Sequence, residues 1–263
     1  MKYIGMLALA LLCAPALAAE EEMDPAAQKV TDCMRANVPA QLTVGQLELT
    51  VFDRTGGSRT LKGRMYSRKI DKGLLHASLR VDAPTELKGA AYLVQETEDY
   101  LRDGMFVYLP SVRRVRRVTG TFADASLMGT NFSYFEFKQL ENAFGDLRAK
   151  MQPDEKVNDR PVSVLRFEAL PGAETKYTRV QAWVDQQACV VVRAEFYENK
   201  KLSKQLSSPA GSLKQAGPNW YVSEYEMRDP SAGTRTVLRV AKLDSEKVPP
   251  NQYFDPNLFF MAP

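Results

Sequence analysis

Apolar and polar residues alternate along most of the chain. In residues 46–54, Leu47, Leu49 and Val51 fall on one face of an extended strand, and the turn sequence TGGS follows. Successive side chains of a strand point to opposite faces, so this period predicts strands with one apolar face. Similar segments recur with turn signals between them, which predicts successive antiparallel hairpins rather than βαβ units.

Two segments have a helical period instead. Residues 24–37 begin with Asp24, a capping residue, and Pro25, which suits the first helical position. Their apolar stripe consists of Ala26, Val30, Cys33 and Met34. The second segment, residues 137–150, places four apolar side chains on one side, namely Phe137, Leu140, Phe144 and Leu147. We therefore predict one helix before the strands and one between their two halves.

The pattern predicts a mainly β (α+β) fold. We expect a single curled antiparallel sheet, or half-closed β-barrel, of about eleven strands, with an N-terminal helix and a central loop-helix lid covering an apolar cavity. A sheet of this size curls, splits or closes. Two helices and one loop cover little of its inner face, so a cavity for a ligand is expected. No change in composition divides the chain, and residues 19–263 are predicted to form a single domain.

The first residues have the features of a signal peptide. Lys2 precedes the apolar stretch 4–17, which is shorter than the roughly 20 residues of a membrane span, and Ala16 and Ala18 place small residues at the −3 and −1 positions of a signal-peptidase site. We expect residues 1–18 to be removed, with cleavage after Ala18 or Ala19, and the mature protein to be periplasmic. An uncleaved anchor is the alternative. The residues before Cys13 do not suit a lipoprotein signal.

Charge and cysteine content further limit the classes of protein to which the chain can belong. The formal net charge is only +3, so the chain as a whole lacks the basic character of nucleic-acid-binding proteins. Cys33 and Cys189 remain in the mature chain, and paired cysteines are common in oxidising compartments. They form either a disulfide or two buried free thiols.

Residues 111–137 join a positive strand to an apolar loop. Alternation puts Arg114 and Arg116 on one strand face, and Arg113 and Arg117 on the other with Val115. Three interpretations remain open. The arginines protect a sheet edge from aggregation, they bind a phosphate or carboxylate of a lipid headgroup or acidic partner, or they pair with carboxylates of the same chain, such as those of Asp124 and Glu136.

The loop at 121–135 also has two interpretations. It is either an apolar plug that completes the core or a movable lid over a lipid site. Gly120 and Gly129 could serve as hinges because glycine accepts wide backbone changes. Met128 suits an adaptable apolar surface.

Catalytic chemistry has little support in the sequence. His76 is the single histidine, lies in an alternating strand and has no nucleophile elbow to accompany it. One histidine and two separated cysteines give no metal-binding pattern, and no phosphate-binding glycine loop is present. We expect no enzymatic activity, no cofactor and no metal.

The segment FVYLPSVRRVRRV, followed by LMGTNFSY at 127–134, resembles the outer-membrane lipoprotein-sorting protein family. That family is distantly related to the periplasmic lipoprotein carrier of the Lol pathway. Residues 83–93 and 249–259 are also similar to it. This chain departs from the family pattern at Asn131, where relatives have an acidic residue, and at Phe135-Glu136. The resemblance implies a half-closed barrel with an apolar cavity.

Together these features predict a periplasmic carrier or chaperone that binds a lipid or lipid-modified protein for transfer to the outer membrane. The alternatives are a non-enzymatic accessory subunit of an envelope export machine and, third, a lipid hydrolase. The expected partners are acyl chains, an inner-membrane transporter and an outer-membrane acceptor. We expect a monomer that binds no nucleic acid.

The predicted site has two parts. The four arginines, Arg113, Arg114, Arg116 and Arg117, are expected to contact a headgroup or partner. Apolar residues of the strands and the loop are expected to line the cavity: Leu47, Leu49, Val51, Met65, Phe106, Tyr108, Phe122, Leu127, Met128, Phe132, Tyr134 and Trp183.

Overall fold

A computed structural model describes residues 24–99, 102–141, 147–169, 172 and 175–261. The predicted signal peptide and its cleavage positions lie outside these residues. Within the described part of the chain, no helix has the length and apolar character that a membrane crossing requires.

The described residues form two α-helices and fifteen β-strands. The helices are α1 (Pro25–Asn37) and α2 (Tyr134–Glu141). The strands, in chain order, are β1 (Gln41–Phe52), β2 (Ser58–Lys69), β3 (Leu75–Ala83), β4 (Ala91–Gln95), β5 (Gly104–Leu109), β6 (Arg114–Arg117), β7 (Leu147–Val157), β8 (Arg160–Ala169), β9 (Arg179–Asp185), β10 (Val191–Glu198), β11 (Lys201–Ser207), β12 (Leu213–Ala216), β13 (Asn219–Val222), β14 (Glu224–Asp229) and β15 (Thr234–Asp244).

Thirteen of these strands form one antiparallel sheet in the order β6-β5-β4-β3-β2-β1-β15-β14-β11-β10-β9-β8-β7. Strands β12 and β13 form a separate hairpin. The first and last long strands of the chain pair with each other, with Leu49 of β1 opposite Leu238 of β15. This pairing joins the two halves into a single curled sheet that does not close, so the predicted mainly β, half-barrel fold is confirmed. The sheet has two edges, β6 and β7.

The inner face of the sheet, defined as the face that packs against α1, α2 and residues 118–133, carries the main hydrophobic core. Because side chains alternate between the two faces along each strand, every second residue points into this core. In β3, for example, Leu79 and Val81 are buried in this core, whereas Arg80 lies on the outer face and donates to the backbone carbonyl of Phe259. The apolar period of the sequence therefore matches the inner face, as the strand geometry requires.

The outer face is covered in two places. The C-terminal segment 249–261 packs Tyr253, Phe254 and Phe259 against strands β2 and β4 of the first half. The β12–β13 hairpin contributes Val222 to a second outer cluster on strands of the second half. A sheet covered on both faces explains why several strands are apolar on both sides.

Helix α1 begins where the sequence predicts. The side chain of Asp24 accepts a hydrogen bond from the backbone N–H of Ala26 at 2.9 Å, and Pro25 occupies the first turn. A proline there costs no intrahelical hydrogen bond, because the first N–H groups have no partner within the helix.

The second predicted helix is only partly correct. Helix α2 covers residues 134–141, residues 142–146 lie outside the described part of the chain, and residues 147–150 belong to strand β7. The count of about eleven strands was too low, because β7 and β12 lack a clear alternating pattern and because residues 219–229 form two strands, β13 and β14.

Candidate functional site

A cavity of about 180 Å³ lies between α1, the inner face of the sheet and the β12–β13 hairpin. Its lining is largely apolar, and no side chain of this described lining carries a formal charge. The lining residues are Met34, Asn37, Val38, Pro39, Leu42, Val44, Leu47, Met65, Ser67, Phe137, Leu140, Cys189, Val190, Val191, Trp220, Tyr221, Val222, Tyr225, Leu238, Val240 and Leu243.

Strand β1 supplies the floor of the cavity through an irregularity. The register of β1 against β2 shifts between Val44 and Leu47, so both side chains are buried on the inner face although they are three residues apart. A bulge of this kind inserts a residue and restores the alternation beyond it. Gly45 lies within the bulge, where an added Cβ would come within 3.3 Å of the carbonyl oxygen of Lys242.

Helix α1 covers the cavity and is held at both ends. Near its start, the Asp24 carboxylate accepts a hydrogen bond from the N–H of Met151 in β7 at 3.1 Å. A disulfide joins Cys33 of α1 to Cys189, just before β10, with Cα atoms 5.6 Å apart. The two cysteines are 156 residues apart in the sequence, and Cys189 lies in the cavity wall.

The last residue of α1 fastens the helix to the hairpin. The Asn37 side chain donates to the carbonyl of Trp220 and accepts from its N–H, both at 2.8 Å. The Asn37 carbonyl accepts from the side-chain amide of Asn219 at 2.7 Å. These three hydrogen bonds join the two elements that cover the cavity.

The opposite end of the inner face is filled by the central loop. Leu127 and Phe132 are fully buried, and Met128 and Tyr134 nearly so. Phe122 is 40% exposed, although its ring contacts that of Tyr134 with centroids 5.5 Å apart. Burial raises the pKa of Tyr134 to about 12. The loop therefore completes the core at this end.

A buried ionic cluster fixes the loop where it enters α2. Ser133 and Glu136 form a capping box: the Glu136 carboxylate accepts from the N–H of Ser133 at 2.7 Å, and the Ser133 hydroxyl accepts from the N–H of Glu136 at 3.1 Å. The Lys204 ammonium lies 2.9 Å from the same carboxylate. The Tyr177 hydroxyl also donates to it, and burial together with Glu136 raises the pKa of Tyr177.

The motif residues of the loop bind the strands beneath. Asn131 donates from its side chain to the Thr234 hydroxyl at 2.6 Å and accepts from the Thr236 hydroxyl at 2.8 Å. Arg59 donates to the carbonyl of Gly129 at 2.5 Å. Gly129 has φ of +75°, and a Cβ there would collide with the Arg59 guanidinium. The left-handed backbone conformation thus accounts for this glycine, which the sequence analysis considered as a hinge.

The structure separates the predicted cavity residues into three groups. Leu47 and Met65 are in the lining. Seven others belong to the loop or to the strand ends beside it, and not to the lining: Leu49, Val51, Phe122, Leu127, Met128, Phe132 and Tyr134. The remaining three, Phe106, Tyr108 and Trp183, belong to the outer clusters, which corrects their placement.

The arginine strand is an edge strand. In β6, Arg116 is opposite Val107 and Arg114 opposite Leu109, so these two arginines share the inner side of the edge. Intramolecular pairing with Asp124 or Glu136 was a wrong interpretation. The Glu136 carboxylate is occupied by Lys204 and Tyr177, and that of Asp124 accepts from the N–H of Lys176 at 2.7 Å.

His76 lies in β3, half-buried and opposite Arg68 of β2 and Gln95 of β4. Burial, and then the nearby Arg68, lower the pKa of His76. Within the described residues, no group of three or more histidine, cysteine, aspartate or glutamate side chains is arranged to hold a metal ion.

Sequence reasoning missed most of the cavity. The hairpin residues Trp220 and Tyr221, Met34 of α1, and the late residues of β15 are all in the lining. The apolar stripe of α1 was a usable signal for Met34. The hairpin could not be placed because β12 and β13 are only four residues long each.

Solved structures share this architecture. A putative outer membrane lipoprotein-sorting protein domain from Vibrio parahaemolyticus aligns with a TM-score of 0.79 at 22% identity, covering 89% of this chain and 98% of that one. A DUF1329 family protein from Desulfovibrio piger gives 0.77 at 24%, covering 87% and 97%. A LolA superfamily protein from Nitrosomonas europaea gives 0.66 at 16%, also covering 87% and 97%. The chain therefore shares the fold of these three proteins, as the sequence resemblance predicts.

A family model described as an uncharacterized-protein-like family matches residues 75–259. The chain belongs to this family. No curated protein matches it in sequence.

Proposed function

We propose that the protein is a periplasmic carrier that holds an acyl chain of a lipid or lipid-modified protein in the cavity beneath α1 and delivers it towards the outer membrane. The observation that carries this proposal is the uncharged, mostly apolar lining of a cavity in a sheet of the lipoprotein-sorting class. Apolar lining with few polar groups suits an acyl chain, because burying a charge without a partner is costly. The signal-like residues 1–18 support export.

The size of the cavity adds a condition. Apolar cavities of about 150 Å³ bind molecules as small as benzene, and pockets for drug-sized ligands measure about 300–1,000 Å³. At about 180 Å³, the cavity holds only part of an acyl chain in its present form. The rest of a longer chain extends out of the cavity opening, and burying more of it requires α1 and the β12–β13 hairpin, which the Asn37 hydrogen bonds join, to move apart.

Lipid retention tests the proposal. The mature protein is extracted under native conditions and its bound lipids are identified by mass spectrometry. Val240→Trp fills the cavity and is expected to remove the lipid. Val51→Trp, on the inner side of β1 where the central loop 121–135 packs, is the matched control and should keep it. Circular dichroism checks that both variants are folded.

An empty wild-type protein that cannot be loaded with added phospholipid would contradict the carrier proposal. Capture of a membrane partner by that empty protein would then favour the alternative of an accessory subunit of an export machine. Equal lipid content in wild type and Val240→Trp would place the lipid elsewhere on the molecule.

A further inference from the structure

Strand β6 and the turn before it expose four arginines at one edge of the sheet: Arg113, Arg114, Arg116 and Arg117. Arg117 donates weakly, at 3.4 Å, to the carbonyls of Arg102 and Asp103. With the described residues, the other three form no ion pair. The edge therefore presents a concentrated positive charge to solvent.

Carboxylates close to this strand in the chain already have partners. Asp103 is buried against Lys138, with 2.5 Å between the carboxylate and the ammonium. Glu98 pairs with Lys72 and Asp99 with Arg102. The charge of the β6 edge is consequently not neutralised by these neighbours, and the edge is open to an external anionic group.

Two exposed apolar side chains flank the arginines. Val112, in the turn before β6, is 38% exposed, and Phe122, just after β6, is 40% exposed. Large apolar side chains with this exposure are few among the described residues. A soluble anion gives no reason for them, whereas a bilayer interface accepts aromatic and aliphatic side chains beside basic ones.

The other edge of the sheet shows that edge protection does not require this composition. Strand β7 carries charges of both signs, Lys150, Asp154, Glu155 and Lys156, together with Pro153. Helix α1 also covers it. Such devices suffice to prevent edge-to-edge pairing. Four arginines of one sign and two exposed apolar residues exceed that need.

The edge is also separate from the cavity. The lining strand nearest to β6 in the sheet is β2, four strand spacings away. At ~4.8 Å per spacing this is about 19 Å along the sheet. The arginine edge and the cavity are therefore separate parts of the sheet.

We propose that the β6 edge docks the protein on an anionic lipid bilayer. The four arginines bind lipid phosphates at the surface, and Val112 and Phe122 enter the headgroup region beside them. This surface recognises the membrane itself and does not depend on which cargo occupies the cavity.

Vesicle binding tests this inference. The mature protein is titrated with vesicles of phosphatidylethanolamine and phosphatidylglycerol, and with neutral phosphatidylcholine vesicles as reference, at low and high salt. We expect binding only to the anionic vesicles and its loss at high salt, where charges are screened. One basic residue near such a surface contributes about fivefold to binding, so Arg114→Gln/Arg116→Gln is expected to weaken it about 30-fold.

A matched control removes two exposed charges elsewhere. Lys200→Gln/Lys201→Gln, at the β10–β11 turn, should change vesicle binding less than twofold. Arg114→Lys/Arg116→Lys should keep most of the binding, because a bilayer surface attracts either cation. Phe122→Ser should weaken binding several-fold while leaving the salt dependence unchanged, with folding checked by circular dichroism.

Wild-type protein that fails to bind anionic vesicles would overturn the inference, as would equal losses in the arginine and lysine-turn variants. Binding to an acidic peptide but not to vesicles would assign the edge to a protein partner and also overturn it. Lipid retention in the cavity is measured in parallel and is expected to be unchanged in the β6 variants, so failure here is distinguishable from failure of the carrier proposal.

Discussion

The two ends of the sheet's inner face differ in how they are filled. The end near the β1–β2 turn, here called the loop end, is packed by residues 120–136 and contains the buried pair Glu136 and Lys204. The end beneath α1, the cavity end, has a lining without formal charge and retains about 180 Å³ of space. The inner face of the sheet thus carries a filled core with a buried ion pair at the loop end and an apolar cavity at the cavity end.

This difference indicates a division of roles. A buried ion pair loses much of its interaction energy if its geometry changes, so it fixes the surrounding backbone in one arrangement. Apolar contacts are non-directional, and methionines such as Met34 and Met65 adapt to different shapes. We infer that the loop end defines the fold and that the cavity end accommodates a ligand.

The largest expected effect concerns the ion pair of the loop end. Lys204→Met leaves the Glu136 carboxylate buried without its cation, and breaking such a pair costs about 3–5 kcal/mol. We expect the free energy of unfolding in urea to fall by that amount. The double variant Glu136→Gln/Lys204→Met should recover part of the loss, because no charge is then left buried.

If Lys204→Met changed stability by less than about 1 kcal/mol, the anchoring role of this cluster would be refuted. Lipid retention by the folded fraction should stay close to that of wild type, because neither residue lines the cavity.

The next effect concerns the disulfide at the cavity end. Replacing Cys33 and Cys189 by serine removes a cross-link that constrains the unfolded chain, which typically costs about 2–4 kcal/mol. We expect a matching decrease in unfolding free energy and faster amide exchange in α1. Reduction of wild-type protein should reproduce both changes. Two titratable thiols in unfolded, unreduced wild-type protein would show that the bond does not form.

A smaller effect is expected from Asn37. Asn37→Ala removes two hydrogen bonds between α1 and Trp220, each worth about 0.5–1.5 kcal/mol. The expected result is a modest loss of stability together with faster exchange of bound lipid. Stopped-flow fluorescence measures the rate of that exchange. Asn131→Ala, which removes side-chain contacts at the loop end, is the control and should not accelerate lipid exchange. Equal acceleration by both variants would contradict the division of roles.

The smallest effect is a pH dependence at the loop end. Burial raises the pKa of Asp124 above its ordinary value of 3.8. The folded state therefore binds the proton more tightly, and this group's contribution to stability falls as pH rises from about 3.8 through the raised pKa. The free energy of unfolding of Asp124→Asn, measured by urea denaturation, should therefore rise relative to that of wild type between pH 4 and pH 7.

Glu198 provides the opposite case. The hydrogen bond from Lys176 is the main cause that lowers its pKa, so its stabilising contribution is lost as pH falls through the lowered pKa. Glu198→Gln should therefore lose stability relative to wild type as pH rises from below the lowered pKa to the ordinary value of 4.5, with little further change above it. The same slope in both variants would refute these assignments.

Local signals allowed some parts of the fold to be predicted. The start of α1 follows from Asp24 and Pro25 alone, and the face assignment of the β6 arginines follows from strand alternation. The half-barrel follows from repeated hairpins together with the family resemblance. These features depend on short-range geometry, which the sequence contains directly.

Other parts depend on tertiary contacts. Strand β7 has weak alternation and contains Pro153, and it is a strand because it pairs with β8, with a register shift between Gln152 and Glu155 that accommodates the proline. Residues 105–109 are all apolar, so alternation could not decide that Phe106 and Tyr108 face outward. The outer apolar cover comes from residues 249–261, far away in the chain.

The central claim is that an acyl chain occupies the cavity end and not the loop end. A phospholipid with a photoreactive group near the end of its acyl chain is loaded into the mature protein and activated, and the labelled peptides are mapped by mass spectrometry. We predict labels in residues 38–47, 220–225 and 238–243, and their loss in Val240→Trp. Labels concentrated in residues 122–134 would contradict the account.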